Sequence, residues 1–162
     1  MSNRTRAGLP FRRDEWDLLV RLPGRVVVAA TSAQPDTSGR TVSEGLAGID
    51  AIAAGRASGS RLVRTIVASI DEEADDDPPA AEEFQDADAG IAGVLDACRI
   101  AAGVLAGGVD REDSDAYRHW IESIAAQVCQ ASRSGGVLGF GGAEISPAER
   151  RFLADLTAAL AC

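Results

Sequence analysis

The run FQDADAGIAGVLDACRIAAGVLAGG, residues 84–108, decides the fold class. Phe84, Ile91, Cys98 and Leu105 recur every seven residues, and Ala87, Val94 and Ala101 form a companion row. That period belongs to a long helix with one apolar seam, and Gly107-Gly108 supplies its stop. The core of the run has the length of a membrane span, but Asp96 and Arg99 sit near its middle, each costing roughly 2.5–3.5 kcal/mol in lipid. A buried helix rich in alanine and glycine is the expectation, with no membrane partner.

Working outward, the same helical spacing continues on both sides. Toward the C-terminus, Ser114 or Asp113 caps a next helix whose Tyr117, Trp120, Ile121, Ile124, Val128 and Ala131 point inward, ending at Ser134-Gly135-Gly136. Ser146-Pro147-Ala148-Glu149 is a capping box with proline at the first helical position. It opens a last helix that buries Phe152, Leu153, Leu156 and Leu160. Toward the N-terminus, residues 14–22 form a first helix with Trp16, Leu19 and Val20 inward, and Pro23 suits the first turn of a second that runs to about Ser32. Val42, Leu46, Ile49 and Ile52 mark a third helix ending near Gly55. Ser58 or Ser60 caps a fourth, with Leu62, Val63, Ile66, Val67 and Ile70 as its stripe. Seven helices without strand alternation predict an all-α, single-domain bundle over residues 1–162 with a flexible arm at 1–13.

Between the fourth and fifth helices the composition changes. Residues 65–96 hold eleven acids and no base, whereas the whole chain nets −9, so the rest is nearly balanced. Around Asp77-Pro78-Pro79 this makes an acidic, proline-containing central connection, with a linker at 71–83. Three readings stay open for it: a solvated linker, a docking segment for a basic partner, or a loose cation site.

Composition excludes more chemistry than it suggests. All 16 basic residues are arginine, and His119 is the only histidine. Without lysine there is no Walker A loop, no pyridoxal Schiff base and no lysine general base; one histidine rules out HExxH zinc sites. Seven aromatics and a negative balance argue against nucleic acid as a partner. Cys98, Cys129 and Cys162 are an odd set with no CxxC pair, which suits reduced thiols in the cytoplasm. The N-terminal Arg4, Arg6, Arg12 and Arg13 are followed by a stretch broken by Asp14, Asp17, Arg21 and Pro23, unlike a signal peptide.

Three places could hold function. The loop SGGVLGFGGA, residues 134–143, sets Val137, Leu138 and Phe140 among glycines, either as a buttress across helix ends or as an interface inserted into a partner subunit. Asp110, Asp113 and Asp115, with Glu122 further along the helix, could attract a hard cation, although acids at a helix start are already explained by the helix dipole. Cys98 and Cys129 lie in apolar stripes with no activating base, so inert buried thiols are expected. No catalytic constellation and no cofactor site emerge. Self-association as a homodimer, through the glycine-rich loop and the alanine-rich faces of the fifth and sixth helices, is the leading expectation. An unidentified protein partner and a cation-responsive role are the alternatives.

Tyr117-x-x-Trp120-Ile121-x-x-Ile124-Ala125, then SGGVLGFGG, then Ile145-Ser146-x-x-Glu149-x-x-x-Leu153 resembles a widespread group of small uncharacterised bacterial all-helical proteins of high-GC, actinobacterial type. Trp16-x-x-Leu19-x-x-x-Pro23 looks like their opening. The resemblance implies fold and ancestry, and no activity. A fainter similarity, carried by Ser146 and Glu149, is to TerB-like tellurite-resistance domains, which are associated with metal stress; the capping box accounts for both residues, and no metal site is carried over.

Overall fold

A computed structural model describes residues 8–34, 38–73, 84–131 and 145–162, with the side chains of 38–41 excepted. Among them are six α-helices and no strand: α1 (Arg13–Ser32), α2 (Ser38–Ala54), α3 (Arg61–Glu73), α4 (Ala87–Gly108), α5 (Arg111–Ala131) and α6 (Pro147–Leu160), with a 3₁₀ turn at Gly55–Ala57 between α2 and α3. The all-α expectation holds, with six helices where seven were expected.

The difference lies at Pro23. The first two expected helices are one, because α1 runs unbroken through this proline. A proline inside a helix normally removes the bond from its own N–H to the carbonyl four residues back, here that of Leu19. The orphaned Leu19 carbonyl instead accepts a hydrogen bond from the hydroxyl of Tyr117 on α5, at 2.9 Å and fully buried. Tertiary structure thus replaces the missing helical bond. The start of α1 is fixed by a hydrophobic staple: Phe11, within the expected arm, is buried and stacks on Trp16 with ring centroids 6.2 Å apart. Glu15 completes the start by accepting from the backbone N–H of Arg12 at 2.8 Å.

α1 and α5 pack together at the centre. α2 and α3 lie against both on one side; on the other, α4 packs chiefly on α1, and α6 closes against α4 and α5. All six helices contribute to one hydrophobic cluster, in which Leu19, Leu22 and Val26 of α1 and Tyr117, Ile121 and Ile124 of α5 are fully buried. The alanine-rich seam of α4, Ala97, Ala101 and Ala102, is buried with Cys98, Val94 and Leu105. This is also the one helix among the described residues long and apolar enough to cross a membrane, with a mean hydropathy of 1.6 over its most apolar window.

Caps largely follow the sequence. Ser60 rather than Ser58 caps α3, accepting from Val63 N–H at 3.2 Å. Ser146 and Glu149 form the reciprocal capping box of α6 at 3.1 and 2.9 Å. The cap of α5 lies three to four residues earlier than expected, because Asp110 accepts from Asp113 N–H at 2.9 Å and so takes the capping role itself. Of the expected linker, Asp71–Glu73 belong to the last turn of α3, where Asp71 makes a two-pronged ion pair with Arg56 at 2.7 and 3.2 Å. Residues 74–83 lie outside the described residues.

α2 departs most from the usual rule that the apolar stripe faces the core. Its buried positions are Glu44, Gly48 and Ala51, followed by Gly55 in the 3₁₀ turn. Gly48 and Gly55 are glycines because the chain here sits very close to its neighbours. A Cβ on Gly48 would come within 2.5 Å of the Val27 side chain on α1, and one on Gly55 within 2.8 Å of both the Trp120 indole and Val67. The Trp120 indole N–H donates to the Ala51 carbonyl at 3.3 Å, satisfying one of the carbonyls left open at the end of α2. Val42, Leu46 and Ile49 consequently point away from the core, whereas Ile52, the last residue of the expected stripe, is half-buried against it.

Candidate functional site

Of the acids expected to attract a cation, Asp110, Asp113 and Asp115 at the start of α5 each have local structural work. Asp110 caps the helix. Asp113 accepts a 2.5 Å hydrogen bond from the Ser60 hydroxyl, which ties the start of α3 to the start of α5. Asp115 pairs with Arg111 at 3.6 Å, one turn back on the same helix. Glu122 is half-buried two turns further on, and His119 is exposed. Among the described residues no group of three or more His, Cys, Asp or Glu side chains is placed to hold a metal ion. Beside the cluster, Ala106, Val109, Arg111, Ser114, Asp115 and Arg118 line an open hollow of about 330 Å³. The Nε of Arg118 is shielded from solvent there without a hydrogen-bond partner.

The thiols divide by location. Cys98 and Cys129 are buried in the core, and Cys162 is exposed. Burial pushes the Cys98 thiol up to about 12, against the smaller opposing pull of Arg25 and Arg99. A thiol held neutral in this way is a poor nucleophile. Burial likewise raises the Tyr117 hydroxyl well above its ordinary range, and Cys98 adds to the effect, so the hydroxyl stays a donor to Leu19.

Val137, Leu138 and Phe140 lie outside the described residues, as does the whole glycine-rich loop. On the alanine-rich faces of α4 and α5, Ala97, Ala101, Ala102 and Ala125 are buried within this one chain.

A different surface stands out. Val42, Leu46 and Ile49 on α2 are exposed by 63%, 59% and 63%, and among the described residues the only other large hydrophobic side chain so exposed is Ile100. The three residues follow one another at steps of four and three, and Ala53 continues the row by a step of four. Steps of four and three match the 3.5-residue repeat found where one helix packs along another. Its signal was in the sequence, in the opposite row Gly48, Ala51 and Gly55. Small residues on one side of a helix and large ones on the other do not by themselves say which side faces in; here the close approach to Val27 and Trp120 selects the small side. No protein-family model, no curated protein and no solved structure matches the chain.

Proposed function

We propose that this is a non-enzymatic, cytoplasmic protein-association domain that presents the outer face of α2 to another polypeptide. The observation behind it is the exposed row Val42, Leu46 and Ile49. Full burial of such a side chain is worth roughly 1.5–3 kcal/mol, so covering three that are each about 60% exposed is worth about 3–5 kcal/mol on this side of the contact. A contiguous apolar row on a helix is the arrangement used for helix-on-helix recognition. The neutral Cys98 thiol and the exposed His119 give no nucleophile-and-base pair in support of catalysis.

A photo-crosslinking amino acid placed at Leu46 tests this in the native cell, with one at the exposed Ala158 of α6 as control. A discrete polypeptide adduct at position 46 and none at 158 is expected. No adduct at position 46 above the control would remove the reading.

A further inference from the structure

Resting on that association reading, we infer that the occupant of the α2 face is a second copy of this chain, its own α2 lying antiparallel across the first. A two-fold axis passing between Leu46 and Ile49 sets Leu46 opposite Ile49 of the second copy and Val42 opposite Ala53 of the second copy. The centre of the seam is then large against large, and its ends large against small, so one surface complements itself. Self-complementarity of a single patch is what a two-fold dimer requires.

Charge points the same way. Each copy carries a net charge of −9, so two copies repel wherever charged surfaces meet. Among the side chains that α2 turns outward from Val42 to Ala54, Asp50 is the only charged one. In the antiparallel register it lies opposite Gly45 of the second copy, with the two Asp50 residues about 7.5 Å apart along the helix axis from the rise of an ideal helix. α2 is therefore a surface on which like-charged copies can meet with little penalty.

Burial sets the strength. A partner without an apolar row of its own would gain only from one set of three side chains, too little against the entropy lost in joining two molecules. A second copy contributes the same three residues again, which after the cost of joining leaves a weak, reversible dimer with a dissociation constant of roughly tens of micromolar or above.

Sedimentation velocity on the full chain from about 1 to 200 μM tests this, alongside Leu46→Glu. The wild type is expected to pass from monomer to dimer across the range. Leu46→Glu should weaken dimerisation by ~100-fold or more, with an unchanged circular dichroism spectrum because Leu46 is largely outside the core. Register is read in a Cys162→Ser background: an equal mixture of Leu46→Cys and Ile49→Cys chains should form the mixed disulfide in preference to either like pair. A wild type monomeric throughout, or a dimer untouched by Leu46→Glu, overturns the inference. Like pairs at both positions overturn the antiparallel register. Should the chain stay monomeric while the Leu46 crosslinker captures a different protein, the second copy is ruled out and the association reading survives; no capture at all removes both.

Discussion

Replacing Tyr117 by phenylalanine deletes one oxygen atom and isolates the bond that lets α1 contain a proline. The hydroxyl lies 2.9 Å from the Leu19 carbonyl, and both groups are inside the core. Phenylalanine keeps the ring and its edge-on contact with Trp120, centroids 5.9 Å apart, so packing changes little. What remains is a buried carbonyl with neither a helical nor a tertiary donor, at a cost of about 1–3 kcal/mol. For a chain of this size that lowers the melting temperature by about 2–12 °C. Pro23→Ala restores an N–H four residues after Leu19, in position to bond the same carbonyl. In that background the loss of the Tyr117 hydroxyl should cost less than about 0.5 kcal/mol, because the helix itself now satisfies the carbonyl. The double-mutant cycle, measured by urea unfolding of wild type, both single variants and the double variant, should give a coupling of about 1–2 kcal/mol. Additivity within about 0.3 kcal/mol would refute the claim that the tyrosine substitutes for the bond the proline removes.

Gly55→Ala should destabilise by about 1–3 kcal/mol and shift Trp120 fluorescence, since the new methyl meets the indole at 2.8 Å. Gly24→Ala, in open space on α1, should instead stabilise by up to about 1 kcal/mol. A chromogenic disulfide reagent should titrate one thiol rapidly, Cys162, and reach Cys98 and Cys129 only on unfolding; three fast thiols would contradict their burial. Stability should fall in alkali. Folding raises Cys98 from its ordinary 9.0 to about 12 and raises Tyr117 above its ordinary 10.0, so the folded state holds protons that the unfolded state releases. The contribution is complete below pH 9 and lost as pH rises from 9 toward 12, and a urea midpoint that does not move between pH 8 and pH 11 would count against it. Calcium, magnesium or zinc at millimolar concentration should leave the melting temperature unchanged, because Asp110, Asp113 and Asp115 already serve a cap, a serine hydroxyl and an arginine; a rise of several degrees would reopen the cation reading.

The parts of the fold that could be read from the sequence are those governed by local rules. Ser146-Pro147-Ala148-Glu149 specifies its own helix start, because all partners lie within three residues. Of the expected seven-residue row, Cys98 and Leu105 are buried while Phe84 and Ile91 are half-buried, and the inward face of α5 from Tyr117 to Val128 is buried. Pro23 could not be read in this way, since its effect on α1 is cancelled by a hydroxyl 98 positions away. α2 was equally ambiguous: both its faces have helical spacing, and only the proximity of Val27 and Trp120 shows that the small residues are the inner ones. For the acids at the start of α5, the sequence places the cap at Asp113 or Ser114 where Asp110 takes it, and the bond from Ser60 to Asp113 joins two helix starts in a way no spacing reveals.

The pairing of Leu19 with Tyr117 also bears on when the chain can fold during its synthesis. α1 is made before α5, yet its central carbonyl lacks a donor until α5 has been translated, nearly a hundred residues later. In the interval α1 carries a proline that weakens it and an apolar face awaiting α5. Such long-range closure slows folding and leaves early segments open to unwanted contacts. The nascent chain therefore gains its central helix pair late, and variants that loosen Tyr117 should reduce the yield of soluble protein beyond what their equilibrium stability alone implies.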